Sequence, residues 1–161
     1  MKATPLVIIA FILGASGAVF AQSKATPLAG AWRIIYSQFT GPNGRTTNNP
    51  QPGLYLFTAN YYSNMAVTSD KPRPALANDA SKASAAELNA TWGKFTANSG
   101  TYEIRGDMLT IHPIVAKNPN VMAPGSVTTL SFKIEGTTLT LRADRSPLFP
   151  DGYTLKLERL E

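Results

Sequence analysis

From Trp32 to Leu160 the apolar residues recur with a period of two, and this pattern limits the fold more than any other feature. Successive side chains of a strand point to opposite faces, whereas an amphipathic helix repeats every 3.6 residues. Trp32, Ile34 and Tyr36 alternate with Arg33 and Ser37, giving a first strand. Leu54 to Thr58 and Tyr61 to Val67 flank Ala59-Asn60. Ser99 to Arg105 and Met108 to Ala116 flank Gly106-Asp107, and Thr128 to Glu135 and Thr137 to Arg142 surround Gly136. Each arrangement is a hairpin signal. Tyr153 to Leu160 completes eight short strands with no repeated βα unit. Eight strands in up-and-down order leave two unpaired edges unless the sheet closes. The expected fold is therefore all-β, a single antiparallel barrel of about eight strands whose interior holds one small ligand. A two-sheet sandwich is the alternative.

One helix interrupts the strands. Ser84-Ala85-Ala86-Glu87 is a capping box, in which the Ser hydroxyl and the Glu carboxylate satisfy free N–H groups at a helix start. Leu88, Trp92 and Phe95 then form an apolar stripe, which predicts a short helix covering an opening or an outer face of the sheet. Lys71-Pro-Arg-Pro74 reads as a loop. Gln38 to Gly53 is a long polar connection placed to rim the barrel mouth.

Residues 1–21 carry the marks of a signal peptide: Lys2, an uncharged apolar run from Leu6 to Phe20, and Val19-Phe20-Ala21 before the expected cleavage. Residues 22–29 read as a flexible leader and 30–161 as the folded domain. Export implies a periplasmic or secreted protein, with no membrane span after signal cleavage. The absence of Cys excludes disulfides, thiolate metal sites and a Cys nucleophile, and a single His excludes a multi-His zinc site. No glycine-rich phosphate-binding pattern is present, so no cofactor is expected. The formal charge of +5 is dispersed rather than clustered, which argues against nucleic acid as a partner.

Gly30-Ala31-Trp32 on the first strand looks like the opening of a lipocalin. More widely, the chain resembles the bacterial lipocalin-like domain family over about residues 28–160. The resemblance is carried by Leu28-Ala-Gly-Ala-Trp32, Gly53-Leu-Tyr-Leu-Phe57, Tyr61-Tyr-Ser-Asn-Met65, Arg73-Pro74 and Ser99-Gly-Thr-Tyr-Glu103. It continues through Thr110-Ile-His112, Asn118-Pro-Asn120, Leu139-Thr-Leu141 and Leu157-Glu-Arg-Leu160. It implies a barrel in which Gly30 and Trp32 are structural, with Trp32 packed at the closed end against Arg159 of the last strand. Two positions depart from the pattern. Gly125-Ser-Val-Thr128 stands where relatives often carry an Arg, and Ile111 where a polar residue or a second His can occur.

The residues suited to binding are Tyr36, Tyr61, Met65 and Tyr102, because a pocket is mostly apolar with a few hydroxyl groups that orient the guest. Tyr62 has the same character. Asn120 of the Asn118-Pro-Asn120 loop and His112 complete the candidate ligand-binding set. His112 points opposite Leu109, Ile111 and Val115 unless Pro113 introduces a bulge, so an outward, a ligand-bonding and a catalytic role all stay open. Glu103, Asp107, Asp144 and Asp151 sit at strand ends or turns and read as solvated. No residue is assigned a catalytic or metal-binding role. The leading expectation is a binding protein for a small apolar or amphipathic molecule held inside the barrel. Two alternatives remain: a structural or partner-binding envelope protein with a filled barrel, and an enzyme (cyclase, isomerase or hydrolase) acting on a hydrophobic substrate in the same cavity.

Overall fold

The computed structural model describes residues 26–42, 44–76, 80–144 and 152–161. The signal segment 1–21, residues 22–25 of the leader and Asp151 lie outside the described residues. Strand β1 (Gly30–Phe39) is followed by β2 (Arg45–Asn48), β3 (Gly53–Phe57) and β4 (Tyr61–Val67). After helix α1 (Ala85–Trp92) come β5 (Phe95–Arg105), β6 (Met108–Ala116), β7 (Thr128–Glu135), β8 (Thr138–Ala143) and β9 (Tyr153–Arg159). Every pairing is antiparallel, and β1 pairs with β9, so the sheet closes on itself. Eight strands form the barrel. The ninth, β2, is an extra strand laid beside the second half of β1, while β3 takes the first half.

The β5–β6 and β7–β8 hairpin turns fall where glycine permits them. Gly106 and Gly136 have φ of 62° and 58°, the left-handed region that β-carbon-bearing residues avoid. The extra strand arises inside the polar stretch Gln38 to Gly53, which had read as a loop. Arg-Thr-Thr-Asn has no apolar alternation to betray a strand, and it forms because the free edge of β1 offers it a ladder.

Two bulges set which side chains face inward. In β1 the register against β9 slips between Ile34 and Tyr36, so the alternation begun by Trp32 and Ile34 does not continue to Tyr36. Ser37 and Phe39 face inward instead, and Tyr36 lies on the outer face beneath the Lys156 ammonium, 5.4 Å from its ring centroid. The second bulge separates Gly100↔Pro113 from Ser99↔Val115, leaving Ile114 as the extra residue of β6. It comes after His112, which is paired with Thr101 and keeps its outward facing.

The core fills one end of the barrel. Trp32, Leu28, Leu109, Leu139, Leu141 and Leu157 are fully buried there, with Phe57, Tyr102 and Leu130 beside them. Trp32 Nε1–H donates to the Leu28 carbonyl at 2.7 Å, so the segment before β1 is folded against this end. The Tyr102 hydroxyl donates to the Thr58 carbonyl at 2.6 Å and lies 2.8 Å from the Thr26 hydroxyl.

Helix α1 starts as its capping box requires: Glu87 N–H donates to Ser84 Oγ, and Ser84 N–H donates to the Glu87 carboxylate. The Ser84 hydrogen bonds lower the Glu87 pKa. The helix does not cover the barrel, contrary to the stripe's expectation. None of its residues is buried, Trp92 is 50% exposed, and Phe95 belongs to β5. It is fastened at its C-terminal end, where the Lys117 ammonium donates to the carbonyls of Trp92 and Phe95. Arg73 lies over the Phe95 ring at 4.7 Å and donates to the Thr91 carbonyl. These links hold two turns of helix against the rim without burying its stripe.

Candidate functional site

Opposite the packed end, the interior is not filled by side chains. A cavity of about 290 Å³ occupies this half of the barrel. Its apolar wall comes from Ile34 and Phe39 of β1, Ala66 and Val67 of β4, Ile111 and Pro113 of β6, and Leu155 of β9. One side is incompletely laddered. The β6–β7 pairing ends at Ile111↔Thr128, although β6 runs on to Ala116 beside β5. The short 3₁₀ turn Pro119–Met122 stands by this gap, with Val121 against the cavity and the Ala116 N–H directed at Met122 Sδ, 3.1 Å away.

The polar lining is neutral in the interior and charged only at the rim. Tyr55, Tyr153, Asn64 and Asn98 project inward, with Ser37 and Thr96 nearby. Asn64 and Asn98 are direct cross-strand partners, and Asn64 Nδ2–H donates to Asn98 Oδ1 at 3.2 Å. Burial raises the pKa of Tyr55 well above that of an ordinary phenol, and the neighbouring Tyr153 and Tyr62 hydroxyls add to the effect. Tyr153 is raised in the same way, and Tyr62 to about 12, both chiefly by loss of water around the phenolate. The Tyr62 hydroxyl is buried without a hydrogen-bond partner. At the rim, Arg45 and Asp70 are the charged pair of the described lining, joined at 2.9 Å. Arg45 also donates to the Thr68 carbonyl and lies over the Phe39 ring.

None of the six residues singled out from the sequence for ligand binding lines this cavity. Tyr36 faces outward because of the β1 bulge. Tyr61 and Met65, 57% and 40% exposed, lie on the outer face of β4, where the parity Tyr62, Asn64, Ala66 takes the inside. Tyr102 belongs to the packed end. His112 stands on the outer face of β6, and its Nε2 is buried without a partner. Asn120 is exposed in the 3₁₀ turn, its backbone N–H donating to the Asn118 side chain. The residues that do line the cavity, Tyr55, Asn64, Asn98 and Tyr153, were reachable only by fixing the inward parity of each strand. Tyr61-Tyr62 offers two parities of similar hydropathy. Only cross-strand neighbours such as Gly100, opposite Tyr62, decide between them.

Among the described residues no group of three His, Asp or Glu is placed to hold a metal, and no helix is long and apolar enough to cross a membrane. The Arg159 guanidinium lies 4.0 Å over the Trp32 ring at the packed end, with Gly30 tightly enclosed by the last residues of the chain.

The chain is similar to two solved structures. A lipocalin-like protein from Bacteroides uniformis is 16% identical, with 83% of this chain and 98% of that chain covered and a TM-score of 0.46. An uncharacterized protein from Bacteroides eggerthii is 9% identical, with 82% and 98% covered and a TM-score of 0.43. No curated protein matches. The sequence profile of the lipocalin-like domain matches residues 29–156, most of the chain, and the chain therefore belongs to the lipocalin-like domain family.

Proposed function

We propose that this protein is exported and binds a small apolar or amphipathic molecule inside its barrel, in the periplasm or outside the cell. The observation that carries the reading is the cavity opposite the packed end. Its volume of about 290 Å³ falls at the lower end of the ~300–1,000 Å³ usual for small-molecule sites. Its wall is mostly aliphatic and aromatic, with a few hydroxyl and amide groups that can orient a guest. Burial of the guest's apolar surface would supply the driving force, at about 25 cal/mol per Å². The alternative of a structural envelope protein with a filled barrel predicts no such space. The carboxylate among the described lining residues, Asp70, is ion-paired with Arg45 at the rim, which favours binding over acid–base chemistry by that group.

The test is native mass spectrometry of the protein purified from its own host, followed by organic extraction. A discrete, extractable apolar adduct is expected. So is uptake by the emptied protein of the uncharged fluorophore N-phenyl-1-naphthylamine, lost in Ala66→Phe, which places a ring in the cavity. An adduct-free protein that takes up no fluorophore overturns the reading. Amino-terminal sequencing of the same material checks export, with cleavage expected after Ala21.

A further inference from the structure

Asn64 and Asn98 form a hydrogen-bonding unit with a surplus. They stand opposite one another on β4 and β5, and both line the cavity. Asn64 is 7% exposed, the buried polar side chain among the described core residues. An amide withdrawn from water is costly unless it is hydrogen-bonded. The pair meets part of that demand with the single bond from Asn64 Nδ2–H to Asn98 Oδ1. One bond between two primary amides consumes one donor and one acceptor. Both N–H donors of Asn98, the second N–H of Asn64 and the Asn64 carbonyl oxygen are left over. Turning both amides over exchanges their roles and leaves the same surplus, so the complementarity does not depend on their orientation.

The electrostatics around the pair restrict what can meet it. Arg45 and Asp70 neutralise each other at the rim, and Arg45 is further engaged by the Thr68 carbonyl and the Phe39 ring. The phenols of Tyr55, Tyr62 and Tyr153 are held in their neutral form by burial. A carboxylate or ammonium drawn in to the depth of Asn64 would therefore be desolvated with no counter-charge beside it. A carboxamide or lactam carries a carbonyl acceptor and an N–H donor on the same carbon, so one uncharged group supplies a partner for both kinds of leftover site. The wall from Ile34, Ala66, Ile111 and Leu155 leaves room for a compact apolar body.

We propose that the cavity selects an uncharged, compact apolar molecule bearing a carboxamide or lactam group, which docks on the Asn64–Asn98 pair. This rests on the binding reading above and adds the head group to it. The experiment is calorimetry at neutral pH with three probes of one skeleton: adamantane-1-carboxamide, adamantane-1-carboxylate and 1-adamantylammonium. N-phenyl-1-naphthylamine, which reports the cavity without an amide, is titrated in parallel.

The carboxamide is expected to bind at least about tenfold more tightly than either ion. In Asn98→Leu that preference should fall to less than about threefold while the fluorophore still binds. Asn98→Ser, a smaller change at the half-buried member of the pair, gives the same comparison should the Leu variant not fold. Equal affinity for all three probes, or a preference for an ion, overturns the head-group assignment and leaves cavity binding intact. A carboxamide preference that survives in both variants also overturns it. Failure of every probe, the fluorophore included, overturns the binding reading itself.

Discussion

The Arg159 guanidinium lies over the Trp32 indole, 4.0 Å from its ring centroid, and joins the first and last strands at the packed end of the barrel. The same guanidinium donates to the Ala29 carbonyl at 2.6 Å and the Pro27 carbonyl at 2.9 Å. A planar, permanently charged fork can stack on an aromatic face and bond two carbonyls at its edge at the same time. Arg159 thus holds the segment entering β1, the indole and the chain's last strand in one arrangement.

Arg159→Leu should destabilise the fold by about 2–3 kcal/mol, because two charge-assisted hydrogen bonds and the ring contact vanish together. Arg159→Lys should recover only part of that loss, since a point-charge ammonium cannot stack and reach both carbonyls. Urea unfolding followed by the fluorescence of buried Trp32 measures both. Equal stability of the Lys variant and the parent would show that charge alone suffices.

Two glycines inside strands predict a graded cost. A Cβ on Gly100 would run into the His112 carbonyl, a backbone atom fixed by the β5–β6 ladder beside the bulge. A Cβ on Gly53 would meet the Ile34 side-chain tip, which can rotate away. Gly100→Ala should therefore cost about 2–3 kcal/mol and Gly53→Ala about 1 kcal/mol. Denaturant titration of the two variants gives the order, and the reverse order would contradict this account of β6.

The eight barrel strands, their hairpins and the capping box were legible because each leaves a local mark: a period of two, a tight turn, a Ser–Glu pair three apart. Closure followed from the two edges that eight strands would otherwise leave unpaired, whereas β2 left no mark. What was not legible lies between strands. The Ile34/Tyr36 slip exists because β9 imposes a register that β1 alone does not encode, and it turned Tyr36 outward. Asn64 carries no interior signal of its own, and its placement depends on its partner Asn98 across the ladder on β5. Leu88 and Trp92 form a stripe suited to burial, yet nothing in the sequence says that Lys117 and Arg73 fasten the helix by its end and leave the stripe bare. The cavity is likewise a property of the assembled layers.

The buried tyrosines Tyr55, Tyr62 and Tyr153 predict alkaline instability. Burial favours the neutral phenols, so their folded pKa values lie above the unfolded value near 10.0. The unfolded chain then releases protons before the folded one does. Stability is full below pH 10 and is lost as pH rises from there toward 12, with Tyr62 alone accounting for a loss on the order of 2 kcal/mol. Tyr62→Phe removes an unpartnered buried hydroxyl, so it should leave neutral-pH stability unchanged or raise it by about 1 kcal/mol, and flatten the alkaline fall. Urea midpoints from pH 8 to 12 for the two proteins provide the check, and superimposable profiles would contradict it.

His112 has the outward facing that strand parity predicts, because the bulge in β6 falls after it. The sequence left an outward, a ligand-bonding and a catalytic role open for this single histidine; it pairs with Thr101 on the outer face while Ile111 takes the cavity side. Its buried Nε2 has no partner. Replacing such a nitrogen by carbon removes a desolvated polar atom and no hydrogen bond, so His112→Phe should change stability by less than about 1 kcal/mol. Fluorophore affinity should stay within about twofold of the parent, whereas Ala66→Phe abolishes it. Titrating both variants with N-phenyl-1-naphthylamine decides the matter. A large loss in His112→Phe with an intact fold would mean that the guest reaches the outer face of β6, and the binding site would have to be moved there.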